Sequence, residues 1–182
     1  MKTSPSSLLT LLVLLPALAF AQARSRPVRQ DPALLAELNR DIWTPFSEAF
    51  TEHEPDKFLA LQAPDFIRVE GNQRIIRPLA EYAANVRRSF SGWEESEIRV
   101  HINFRFLERI VTGRHASERG IYELVQSNDD GDLERSYGRF HAISRKIDGI
   151  WRIAVDYDSD ADGAIDLAAY HRAAALDNFK PF

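Results

Sequence analysis

Residues Glu97–Phe106 read "EIRVHINFRF". Ile98, Val100, Ile102, Phe104 and Phe106 alternate with Arg99, His101, Asn103 and Arg105. A period of two marks a strand with one buried and one wet face, as antiparallel sheets allow. Leu107 breaks the alternation and predicts a bulge or a strong bend. Three further strands follow: "RHASERGIYELVQS" (114–127), "LERSYGRFHAISRKI" (133–147) and "IWRIAVDYD" (150–158). "NDDGD" (128–132) supplies turn residues, and Asp148-Gly149 is a strong two-residue hairpin signal. The second half of the chain is therefore a long antiparallel meander.

Upstream of this stretch the apolar period is close to 3.6. Asp31 suits an N-cap and Pro32 a first helical position. Leu34, Leu38, Ile42, Phe46 and Phe50 then recur every four residues on one helix face. Pro45 falls inside the pattern and predicts a bend or a break. "EPDKFLALQ" (54–62) fits a short second helix, and "PDFIRVEG" (64–71) a strand ended by Gly71. "RPLAEYAANVRRSF" (77–90) fits a third helix opened by Pro78, with Leu79, Tyr82, Val86 and Phe90 along one side. The closing "AIDLAAYHRAAAL" (164–176) reads as a last helix. Helices followed by strands predict an α+β fold. Its expected form is a curved antiparallel sheet wrapped around the amino-terminal helices, with a cavity near its wide end and an extra carboxy-terminal helix.

Composition narrows the function classes. The 182 residues hold 23 basic and 27 acidic side chains, net −4, without the basic excess of a nucleic-acid binder. The chain has no cysteine, which excludes disulfides, a cysteine nucleophile and a lipoprotein anchor. Lys2, the apolar run Leu8–Phe20 and Ala19-Phe20-Ala21 form the three parts of a secretory signal, cleaved after Ala21 or Ala23. The run is shorter than the roughly 20 residues that span a bilayer and contains Pro16. The expected organisation is a signal over 1–21, a flexible leader over 22–30 and one domain over 31–182. The mature protein is expected to be soluble, secreted or periplasmic, and free of membrane and nucleic acid.

The three-helix opening, "APDFIRVEG" ahead of "EYAANVRRSF", and "YGRFHAISRKIDGIWRIAVDYDS" (137–159) resemble the nuclear transport factor 2-like (NTF2-like) superfamily. This cystatin-like cone includes SnoaL-type polyketide cyclases and ketosteroid isomerase. Gly138-Arg139-Phe140, Asp148-Gly149, Trp151 and Ile153 carry the resemblance, which spans about Leu34 to Ser159 and marks an exported, bacterial-type member. It implies a cone that binds a small, largely apolar molecule, with or without isomerase, cyclase or hydratase chemistry. It also implies a homodimer through the outer sheet face, and some relatives are non-catalytic scaffolds. A ketosteroid isomerase-like site needs a tyrosine on the first helix and a neutral carboxylic acid. "LLAELNRDIWTPFSEAF" has no tyrosine, so no catalytic residue carries across.

Candidate site residues come from the sheet and the helices facing it. Pairing across the Asp148-Gly149 hairpin is expected to bring Arg139, His141 and Asp156 into one neighbourhood, where an Asp–His pair could act as a general base. The bland alternative is a histidine on the solvated face. Asp156 or Tyr157 is expected at the cavity mouth, with Tyr157 sharing the face of Trp151, Ile153 and Val155. Arg119 could meet a ligand carboxylate or pair with a neighbouring glutamate. Tyr122 sits mid-strand on the same segment, beside Gly120, which marks a bend or close approach. Trp43 and Tyr82 face the expected cavity and serve as core or as ligand contacts.

"DSDADGAIDLAA" (158–169) places Asp158, Asp160, Asp162 and Asp166 at positions one, three, five and nine of a calcium loop. Position twelve, normally a bidentate glutamate, is Ala169, and a strand leads in where a helix should. The alternatives are an acidic turn capping the last helix through Asp162, or the rim of the cavity. No cofactor is expected unless this loop holds calcium.

Overall fold

A computed structural model describes residues 29–182; the expected signal and most of the leader lie outside them. The helical opening comprises α1 (Pro32–Leu38), a π-helical turn (Asn39–Trp43), α2 (Thr44–Thr51) and α3 (Pro55–Leu59). Asp31 caps α1, its Oδ1 accepting from the Ala33 N–H at 2.9 Å. The interruption predicted at Pro45 takes the form of the π turn just before it. Proline has no N–H to give to residue 41, and widening the preceding turn lets the helix continue. Pro78 stands one residue earlier than expected, at the N-cap of α4 (Leu79–Glu95).

Among the described residues seven strands form one open sheet: β1 (Gln62–Glu70), β2 (Ile75–Pro78), β3 (Arg99–Val111), β4 (His115–Ser127), β5 (Leu133–Ile147), β6 (Ile150–Ser159) and β7 (Ala174–Ala175). Their order is β2-β1-β6-β5-β4-β3-β7. The meander β3–β6 is antiparallel as read from the sequence. The sheet as a whole is mixed, because β1 runs parallel to β6. The hairpin β1–β2 was not legible in the sequence, and the closing helix α5 (Leu167–Arg172) is shorter than its alanine content suggests. After α5 the chain extends and β7 pairs with β3. Asp148 and Gly149 both take positive φ, as a two-residue hairpin turn requires.

Helices α1–α4 cover the concave face of the sheet. Trp43 is 1 % exposed and packs on Phe104, Phe106 and Phe140, with ring centroids 4.9–5.2 Å apart. Gly120 is where the sheet and this core press together. A Cβ there would lie 2.0 Å from the Arg105 carbonyl oxygen and 2.6 Å from the Phe140 ring. No helix among the described residues is long and apolar enough to cross a membrane.

Two register slips decide which side chains enter the cone. The expected bulge at Leu107 is present between Phe106 and Glu108 and turns Arg109 inward beneath Phe106. A second slip opposes Ile143–Ser144 of β5 with Val155 and Ile153 of β6, leaving Ala154 as the extra residue. One extra residue inverts the facing of everything beyond it. Trp151 and Ile153 point inward, and past Ala154 so do Asp156 and Asp158, whereas Tyr157 points out.

Candidate functional site

The inward face of β6 beyond the bulge lies beside β1. In that parallel ladder Arg68 is opposite Asp156 and Glu70 opposite Asp158. Arg68 Nη1 donates to Asp156 Oδ2, and its Nη2 pairs with Asp158 Oδ2, both at 2.5 Å. The guanidinium also sits 5.4 Å from the centre of the Tyr82 ring on α4, a cation–π arrangement. Its Nε is buried and has no acceptor among the described residues. Asp156 is 7 % exposed and the Asp158 side chain 27 %, so this is a partly desolvated ionic cluster of two carboxyl groups and one guanidinium.

The cluster forms one wall of a cavity of ≈ 140 Å³. Trp43, Phe46 and Phe50 line it from the helices, Phe104, Tyr122, Leu124 and Phe140 from the sheet. Gly138 keeps it open: a Cβ there would come within 2.4 Å of the Tyr122 ring and hydroxyl, which lie over it. Burial pushes the Asp158 carboxyl above the usual aspartate range, with Arg68 opposing the rise. The Tyr122 phenol is pushed up to about 12 by burial and by the negative charge of Asp158. Burial also raises Tyr82, against the pull of Arg68. Both phenols are therefore neutral donors at ordinary pH. The wall as a whole offers two carboxyl groups, a cation and two hydroxyls around a small aromatic box.

Comparison with known proteins gives the architecture its place. No protein-family model matches the chain, and no curated protein matches it. Solved structures do. An NTF2-like protein of unknown function from Shewanella oneidensis shares 19 % identity, covering 69 % of this chain and 98 % of that one, with a TM-score of 0.55. A protein of unknown function from Mycobacterium tuberculosis shares 13 % over 76 % of this chain and 89 % of its own, TM-score 0.57. A ketosteroid isomerase-like protein from Erwinia carotovora shares 16 % over 69 % and 94 %, TM-score 0.52.

The chain has the NTF2-like fold.

Within this NTF2-like cone the residues expected from the sequence divide between two faces. Trp43, Tyr82, Tyr122 and Asp156 line the inner cavity. His141, Arg119 and Tyr157 do not reach it; they lie with Arg139 on the outer face of the sheet. Asp156 and His141 are thus on opposite sides and form no Asp–His pair, because the Ala154 bulge sets Asp156 opposite Ala142 and Tyr157 opposite His141. His141 Nε2 is instead 2.9 Å from Ser117 Oγ, and its pKa is lowered by burial and by the Arg119 charge. Arg119 is bound by Glu108, not by Glu118 or Glu123.

The acidic stretch does not converge on a point. Asp158 turns into the cone towards Arg68, Asp160 accepts from Asn72 and from the Asp162 N–H, and Asp166 caps α5 by accepting from Ala169 N–H at 2.7 Å. The cap is therefore Asp166 and not Asp162. Among the described residues no group of three or more side chains is placed to hold a metal ion.

Arg68 is the site residue that sequence reasoning missed. In "DFIRVEG" an arginine between Ile67 and Val69 looks like the wet face. The phase is set by Phe66, which is 1 % exposed, while Ile67 is 40 % exposed. Phe66 sharing parity with Arg68 was the available signal.

Proposed function

We propose that this is an exported NTF2-like protein that binds one compact, largely apolar molecule in the inner cavity. The observation that carries the reading is the Arg68–Asp156–Asp158 cluster set into an otherwise aromatic box. An ionic group in an apolar cavity costs several kcal/mol in desolvation, and titratable groups displaced from their ordinary pKa values gather at functional sites. The buried Arg68 N–H without an acceptor suits a ligand that brings a carbonyl or hydroxyl oxygen. In the catalytic form of this reading, Asp156 takes a proton from the ligand and returns it at another position, while Tyr82 and Tyr122 orient the ligand. The chemistry would then be of the isomerase, cyclase or hydratase type.

Size limits the ligand. Drug-sized pockets begin near 300 Å³, whereas a cavity of about 150 Å³ accepts benzene. Single-ring molecules with one oxygen are therefore the class to test. A screen of phenols, cyclic ketones and cyclic alcohols by ligand-observed NMR should find binders competing for one site. Leu124→Trp, which fills the cavity, should abolish binding while leaving the circular dichroism spectrum unchanged. Absence of any binder, or binding indifferent to Leu124→Trp, refutes the reading.

The second reading is a non-catalytic scaffold that pairs with its own copy. The small cavity favours it, as do Ile67, Leu107 and Ile110, each exposed on the outer side of the sheet. Light scattering decides: a monomer at high protein concentration excludes it. Export rests on residues 1–21, and amino-terminal sequencing of secreted protein should begin at Gln22 or Arg24.

A further inference from the structure

A second concavity lies on the other side of the sheet, between its outer face and α5. Its volume is ≈ 620 Å³, inside the range of roughly 300–1,000 Å³ found for small-molecule sites. Its floor is apolar: Ile121 on β4 and Ile165 ahead of α5 are 3 % and 6 % exposed. Its rim is cationic. Arg119 and Arg139 stand on neighbouring strands, since Arg119 is opposite His141 and Ile121 opposite Arg139. Arg172 adds a third guanidinium from α5.

Among the lining residues the one carboxylate is Glu108, and it is taken by Arg119 at 2.8–2.9 Å. Arg139 and Arg172 make no ion pair among the described residues. Like charges gathered at one groove repel, and an anion relieves that repulsion. Guanidinium groups bind planar oxyanions through paired hydrogen bonds.

The geometry points to this outer groove as a binding site for a small organic anion, a carboxylate or sulfonate on an apolar body. The oxyanion lies between Arg139 and Arg172 with Arg119 behind it, and the body rests on Ile121 and Ile165. The site is independent of the inner cavity, whose two aspartates and small volume exclude such a molecule.

Fluorescence titration with anthracene-9-carboxylate, too large for the inner cavity, tests it. Saturable binding is expected, weakening as sodium chloride is raised. The uncharged anthracene-9-carboxamide should bind about tenfold or more weakly, the value of a lost charge-assisted contact. The double variant R139A/R172A should lose affinity by a similar factor with an unchanged melting temperature, both residues being exposed. Leu124→Trp should have no effect. The inference is overturned by equal binding of the amide, by full affinity in the double variant, or by loss in Leu124→Trp. No saturation by millimolar anion overturns it too, as does light scattering showing a dimer that blocks anion binding and is dispersed by R139A/R172A.

Discussion

Two ionic clusters lie inside the same cone, one on β3 and β4 and the other on β1 and β6, and they differ in how completely they are satisfied. In the first, Arg109 and Glu118 are fully buried. Arg109 Nε donates to Glu118 Oε1 at 2.6 Å, its Nη2 to Asn39 Oδ1 at 2.7 Å, and its Nη1 to the Leu176 carbonyl at 3.2 Å. Trp43 Nε1 donates to Glu118 Oε2 at 2.9 Å. The carboxy-terminal tail closes over the pair, with Phe106 and Phe179 against the guanidinium. In the second, Arg68, Asp156 and Asp158 carry one surplus carboxyl group, a buried Nε–H without an acceptor, and a cavity. A buried pair in which every side-chain nitrogen and oxygen has a partner locks the packing of helix, sheet and tail. The open cluster has valences left for something else.

That contrast breaks most readily in the closed cluster. Glu118→Ala strands a buried guanidinium and should cost about 3–5 kcal/mol in urea unfolding; a loss below about 1 kcal/mol would mean water reaches Arg109. Trp43→Phe keeps the ring but removes the donor to Glu118 and should cost about 1–3 kcal/mol, with the same measurement as its check. In the open cluster Asp156→Asn should cost less, about 1–2 kcal/mol, because Arg68 keeps Asp158, while binding in the inner cavity is lost. Equal destabilisation by Asp156→Asn and Glu118→Ala would erase the distinction between the two clusters.

The smallest effect concerns pH. Asp158 has its pKa raised by burial, so the folded state holds its proton more tightly than the unfolded chain does. Its contribution to stability is full below the ordinary aspartate value of about 3.9 and is lost as pH rises through the folded value. Asp158→Asn should therefore flatten the stability profile above pH 4, and melting curves from acid to neutral pH will show whether the difference from wild type grows in that direction.

The sequence made much of the architecture legible. The period of two in "EIRVHINFRF" and the turns at 128–132 and 148–149 fixed the meander, because alternation reports burial of one face directly. The helical opening was equally plain, down to a break near Pro45. The site was half legible. Trp43, Tyr82 and Tyr122 are large aromatics on faces whose parity is unambiguous. His141 and Asp156 were placed together because strand parity was carried through Ala154 unbroken, and a bulge leaves no mark in a string of Ile, Ala and Val.

The sequence by itself determined the main helices and the four strands of the meander, since apolar period and turn chemistry are local. The tertiary structure alone decided which carboxylates enter the cone. Asp156 and Asp158 face Arg68 because one unpaired residue shifts the register of β6 against β5, and because β1, distant in sequence, lies parallel beside it. Facing and pairing across a sheet depend on the partner strand, and no single strand carries that information.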